Sequence, residues 1–351
     1  MIYIIYFIYF AQMNSPSYSP TNIKIATELV SSFIQIPDNI NSFEFDTFEI
    51  NENFILKNIA GHIFKSNLTE YKISIDHELL ANFISLVADK YYQNPFHNFQ
   101  HAINVLHMTS LLAKNTNIIY KLNPHIIFAL LISALCHDVG HPGHTNSYEI
   151  NSFGKYAKLY NDKSVLENHH CTTTFELLEQ SGLIHCFKGD DFREFRKTII
   201  HCILGTDMSK HQKSLQKLGL FDTFSPVLSV EQQYIICGIL VHYADLSSSI
   251  KHFDIYFQWS KRISRELYEQ SLKEELEGLP SLPFMKVYDN LTICINEINF
   301  ITNICIPMWE LFSNKFENMN FLLERCKENL EKWKELNSVL ISNNYLDSLK
   351  Y

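Results

Sequence analysis

Apolar residues recur at helical spacing along most of the chain, and capping residues bracket several of the runs. Asn94 as N-cap and Pro95 at the first helical position predict a helix over 95–114. Ile126–Cys136 is an apolar run whose only polar member is Ser133, which predicts a helix buried on all sides. Ile235–Ala244 reads the same way. Tyr256–Ser271 and Tyr288–Cys305 are amphipathic, and Phe312–Leu340 ends in a docking helix that carries Trp333. Residues 12–40 are mixed and polar, with Pro16, Pro20 and Pro37, and read as a linker. Met1–Ala11 is apolar and aromatic, but it has half of the about 20 residues that cross a bilayer, and no basic stretch precedes it. It reads as a tail or an interfacial anchor. With no internal repeat and no second linker, the expected organisation is an N-terminal extension over 1–42 and one domain over 43–345.

Composition sharpens this picture. Of 351 residues 46% are hydrophobic and 19% charged, which excludes disorder for the bulk of the chain. Only 10 Gly and 10 Pro are present, too few for the turns of an all-β sandwich or barrel, so the expected class is all-α. A net charge of −9 argues against a nucleic-acid backbone or an anionic membrane surface as the main partner. The 8 Cys are scattered without a C-x-x-C pair, as buried thiols in a reducing compartment are, and the expected location is the cytosol. The surplus is in histidine: of 16, His97, His101, His107, His125, His137, His141, His144, His169 and His170 fall in one region.

Two apolar helices run directly into ionisable residues. Ile126–Cys136 delivers His137 and Asp138, and Ile235–Ala244 delivers Asp245. A carboxylate at the end of a buried helix costs several kcal/mol unless it is paired or binds metal. On the helix expected over 95–114, His97 and His101 are four apart and share a face. Two His and two Asp from three helices suit a divalent transition metal such as zinc, with water in the open positions.

The stretch His137-Asp138-Val139-Gly140-His141-Pro142-Gly143-His144-Thr145-Asn146-Ser147-Tyr148 resembles the signature of class I 3′,5′-cyclic-nucleotide phosphodiesterases, a branch of the HD metal-dependent phosphohydrolases. Four further blocks agree in order and spacing: Asn94–His101, Leu166–His170, Thr206–His211 and Ala244–Ser247. The resemblance implies an all-α domain of about sixteen helices with a binuclear metal site. By the family's pattern His101, His137, Asp138 and Asp245 would hold zinc, with Asp138 bridging to magnesium or manganese. His141, Glu167, His170 and Thr206 would orient the bound waters, and His97 would be the general acid. Such chemistry suits an anionic phosphodiester: two metals neutralise its oxygens and acidify water, hydroxide attacks phosphorus in line, and an imidazole protonates the leaving 3′ oxygen.

The same resemblance places the base pocket. Counting back from Pro307-Met308-Trp309, Phe300 falls at the family's ring-stacking position and Glu297 where the family has a purine-reading glutamine. Ile263 would be the opposite wall, and Met208 and Ser248 would also line the substrate; cAMP-selective members have Asn where Ser248 stands. A carboxylate only accepts hydrogen bonds. Guanine presents N1–H and N2–H₂ side by side, whereas adenine sets an acceptor, N1, against it. An unmet buried acceptor costs about 1–3 kcal/mol, so the expected substrate is cGMP by about tenfold to a hundredfold. Alternatives are cAMP or dual specificity, or a catalytically silent cyclic-nucleotide binding protein. The sequence sets no oligomeric state.

Overall fold

The computed structural model describes residues 36–50 and 52–348, with side chains as far as 342. Met1–Ala11 and the linker up to residue 35 lie outside the described residues. From Asn39 onward the chain forms one compact unit. Among the described residues it is all-helical, with fourteen α-helices, short 3₁₀ turns and one π turn.

The early helices are α1 (Asn53–Glu70), α2 (His77–Lys90), α3 (Phe99–Asn115) and α4 (Pro124–Cys136), followed by two short ones, α5 (Asn146–Asn151) and α6 (Lys155–Tyr160). Next come α7 (Val165–Ser181), α8 (Gly189–Gly205), α9 (His211–Leu220) and α10 (Val230–Asp245). The C-terminal set is α11 (Phe253–Leu276), α12 (Asn290–Phe300), α13 (Ile306–Lys315) and α14 (Asn320–Ser348).

The apolar run expected to be buried on all sides is α4: every residue from His125 to Cys136 is buried. It packs against α3, α8 and α10 at the centre of the unit. Each fully buried Leu or Ile there contributes about 1.5–3 kcal/mol, so the ends of α4 and α10 are fixed by the best-packed part of the protein.

One register differs from expectation. The helix carrying His101 begins at Phe99, not residue 95, and its cap is Asn98, whose side chain accepts from the His101 N–H at 3.1 Å. Residues 94–97 form a loop because their polar groups are satisfied elsewhere. Asn94 Nδ2 donates to the carbonyls of His97 and His141 at 2.9 and 2.8 Å. The Phe96 and His97 N–H groups donate to Glu266 Oε2 at 2.8 and 3.1 Å. His97 and His101 therefore do not share a helix face; His97 is a loop residue.

The expected helix over Tyr288–Cys305 also divides. α12 ends at Phe300 and a π turn spans Ile301–Cys305 before α13. Pro307, in the first turn of α13, has no N–H to give to the Asn303 carbonyl, which disrupts the ladder there. By length and composition Asn290–Lys315 suits a membrane span, yet its Ile301, Cys305, Met308, Trp309 and Phe312 are buried in the core. Trp333 docks α14 as expected, fully buried against Tyr256.

Candidate active site and metal centre

Three helix ends meet at one point. Asp245 is the last residue of α10, His101 lies in the first turn of α3, and His137 and Asp138 follow α4 on a turn. That turn uses Gly140 and Gly143 at φ +76° and +79°, and an added Cβ would lie 3.0 Å from His169 Nε2 and from Asn94 Oδ1 respectively.

His101, His137, Asp138 and Asp245 offer ligand atoms within 4.8 Å of one another. His101 Nε2 is 3.1 Å from Asp245 Oδ1, and His137 Nε2 is 2.9 Å from Asp138 Oδ2 and 3.3 Å from Asp245 Oδ1. A divalent ion held about 2.0–2.2 Å from each atom sets neighbouring ligand atoms about 3.0–3.5 Å apart, so the cluster has the size of a metal shell. His137 Nδ1 lies 3.0 Å from the Ala134 carbonyl, which assigns its N–H there and leaves Nε2 with its lone pair. Nε2 in turn sits 3.2 Å from His101 Nε2, and two facing nitrogens call for a cation between them. The donor set fits a divalent metal.

The other oxygen of Asp138 is 3.7 Å from His170 Nε2, and Asp138, His141 and His170 form a second group of potential ligands. His170 Nδ1 meets the Val139 carbonyl at 2.9 Å. Burial holds His170 down at about 4 and His141 well below the usual imidazole range, so both rings are neutral at pH 7. Asn146 Nδ2 donates to both Glu167 oxygens at 3.1 Å. Burial, reinforced by the charge of Asp207, pushes Glu167 up to about 7. Thr206 Oγ1 donates to the Ile203 carbonyl at 2.9 Å and keeps its lone pairs free for the cavity.

His97 Nδ1 pairs with the buried carboxylate of Glu266, on α11. Burial alone would depress the imidazole, but the Glu266 charge and hydrogen bond outweigh it and hold it at about 9, protonated at neutral pH. Its ring stacks on neutral His141 with centroids 3.9 Å apart and planes 17° from parallel. Sequence reasoning missed Glu266. The available signal was a carboxylate three residues after Ile263, on the face of α11 that also carries Trp259.

A cavity of about 490 Å³ opens beside these groups. It is lined by His97, Asp138, His141, Glu167, His170, Thr206 and Asp245 at one end, and by Met208, Ser248, Ile263, Glu297 and Phe300 as well. His101 and His137 are buried next to Asp138 and Asp245 rather than on its wall. All fourteen residues singled out in the sequence thus converge. Glu297 is 7% exposed, and no Lys or Arg pairs with it among the described residues. It accepts instead from the Tyr256 hydroxyl, with the Ser260 hydroxyl beside it. Burial outweighs both hydroxyls and pushes it up to about 7.

The sequence model of the 3′,5′-cyclic nucleotide phosphodiesterase family matches residues 96–326. The chain belongs to this family. It is 30% identical over 309 residues to the high affinity cGMP-specific 3′,5′-cyclic phosphodiesterase 9A of Drosophila melanogaster, covering 84% of this chain and 20% of that protein. It is 31% identical over 276 residues to the dual 3′,5′-cyclic-AMP and -GMP phosphodiesterase beta of Plasmodium falciparum, covering 75% and 24%. The chain therefore spans a quarter or less of either relative. Its fold matches the crystal structure of the phosphodiesterase domain of the RhoPDE fusion protein from the choanoflagellate Salpingoeca rosetta with a TM-score of 0.82. That domain is 32% identical, with 89% of this chain and 99% of that one covered.

Proposed function

We propose that this member of the family hydrolyses the 3′ phosphoester bond of a 3′,5′-cyclic nucleotide to the 5′-monophosphate, with cGMP preferred over cAMP. One observation carries the reading: a cavity holds the His/Asp cluster and the His97–Glu266 pair together with Glu297 and Phe300. His101, His137, Asp138 and Asp245 would hold the first ion, with zinc the proposed occupant. Asp138 would be shared with a second, magnesium or manganese. Bound there, the pair supplies the positive charge that the −9 chain lacks and makes water at the site more acidic.

The protein's own groups do the rest. His97 enters the reaction protonated, with Nδ1 committed to Glu266, so its free Nε2–H delivers the proton to the departing 3′ oxygen. Neutral His141 and His170, with Glu167 and Thr206, orient water by accepting or donating hydrogen bonds. Phe300 and Ile263 clamp the purine, and the Glu297 carboxylate accepts from guanine N1–H and N2–H₂. The named relatives include cGMP-specific and dual enzymes, so the preference rests on Glu297.

Steady-state kinetics of purified protein on both nucleotides test the proposal. The expected kcat/KM favours cGMP by about tenfold or more, and equal or better turnover of cAMP overturns the preference. His97→Asn should lower kcat by about 10²–10⁴-fold with little change in KM. A variant that keeps wild-type kcat removes His97 from the acid role.

A further inference from the structure

A second cavity, of about 450 Å³, lies between α8, α9 and α10, away from the lining of the first. Lys197, Lys210, Lys213 and Lys217 line it together with His201 and Ser214, and no carboxylate is among its described lining residues. In a chain of net charge −9, four lysines lining one concavity are the reverse of the overall charge.

Their partners are few. Lys210 Nζ donates to the Leu204 carbonyl at 2.7 Å. Its carboxylate neighbour is Asp207, 4.0 Å away, which already accepts from the Ser164 hydroxyl and the Ser209 N–H. Lys217 Nζ lies 3.4 Å from His201 Nε2. Burial, followed by the charges of the lysines, holds His201 at about 4, so its ring is neutral and Nε2 accepts. Among the described residues Lys197 and Lys213 make no ion pair. Gly238 allows this close arrangement, since a Cβ there would come 2.9 Å from the His201 ring. Cations gathered around one concavity repel one another and raise the local positive potential, and a multiply charged anion relieves both.

We propose that this cavity is a binding site for a phosphate-bearing anion, held by Lys197, Lys213 and Lys217 with the Ser214 hydroxyl as a further donor. A phosphate group offers several charged acceptor oxygens to several point-charge donors, which is the chemistry that the lysines of α8, of α9 and of the turn between them present. The site shares the turn 204–210 with the active-site cavity: Leu204, Gly205 and Lys210 face one, Thr206 to Ser209 the other.

Calorimetric titration of the full metal-loaded chain with inorganic phosphate tests the proposal, with the exposed pair replaced as Lys197→Gln/Lys213→Gln and, separately, Lys217→Gln. Phosphate can also enter the active site, so the informative quantity is the binding component that the substitutions remove. The expected result is a saturable component weakened about tenfold in the double variant, while cyclic-nucleotide turnover without phosphate stays at the wild-type rate as the folding control. Identical phosphate binding by wild type and both variants overturns the proposal. Vesicles of phosphatidylcholine with a minor share of phosphatidylinositol 4-phosphate identify the source of the anion. Co-sedimentation lost in the double variant supports a lipid headgroup, and variant-sensitive phosphate binding without co-sedimentation supports a soluble phosphate.

Discussion

Glu297 has a proton affinity near neutrality because burial outweighs the hydrogen bonds of Tyr256 and Ser260, and among the described residues no cation pairs with it. Above about pH 7 it is a carboxylate with two acceptor oxygens, matched to guanine; below, it is a carboxylic acid that can donate to adenine N1 and accept from N6–H. The ratio of kcat/KM for cGMP over cAMP should therefore rise several-fold between about pH 6 and about pH 8. Taking the ratio cancels every ionisation common to both substrates. Glu297→Gln should flatten the profile and raise relative activity on cAMP; a wild-type ratio that does not change with pH refutes the role. Glu266 acts through His97 and is a positioning residue. Glu266→Gln keeps a hydrogen-bonding group but removes the charge that holds the imidazole at about 9, so the acid form is lost at lower pH. The alkaline limb of the pH–kcat profile should move down by about 1–2 pH units with KM little changed, and an unmoved limb would leave Glu266 with packing alone.

At the scale of elements, the apolar run of α4 and the His-Asp step that follows it were legible because burial leaves few alternatives for a carboxylate. The start of α3 was not. Asn94-Pro95 and Asn98 are both acceptable caps by local chemistry, and the choice was made by Glu266, 169 residues from His97, which takes the backbone donors of Phe96 and His97. The break after Phe300 was similarly hidden, although Pro307 carried its cause. The turn that presents His137 and Asp138 depends on glycine at a left-handed position. Gly140→Ala adds a Cβ 3.0 Å from His169 in that conformation. It should cost about 1–2 kcal/mol in denaturant unfolding, with reduced metal affinity. Stability equal to wild type would mean that the turn accommodates a side chain without strain.

On the scale of the whole molecule, the packing of three helix ends gathers two imidazoles and two carboxylates with little solvent around them. An ion that binds the folded state alone stabilises it by mass action. Thermal unfolding after chelation should therefore fall by several degrees relative to the loaded protein and recover on adding zinc. A melting temperature indifferent to chelator and zinc excludes the cluster as a metal site. The sequence by itself determined the helical class, the family, and the identity of the groups that meet at the site, because periodicity, low turn content and spaced ligand blocks are local properties of the chain. Only the tertiary structure decided that His97 stands on a loop, that Glu266 holds it, that Tyr256 rather than a cation faces Glu297, and that four lysines line a second cavity. Those facts depend on distant segments brought together by packing, and proton affinity and charge convergence follow from surroundings that no local pattern records.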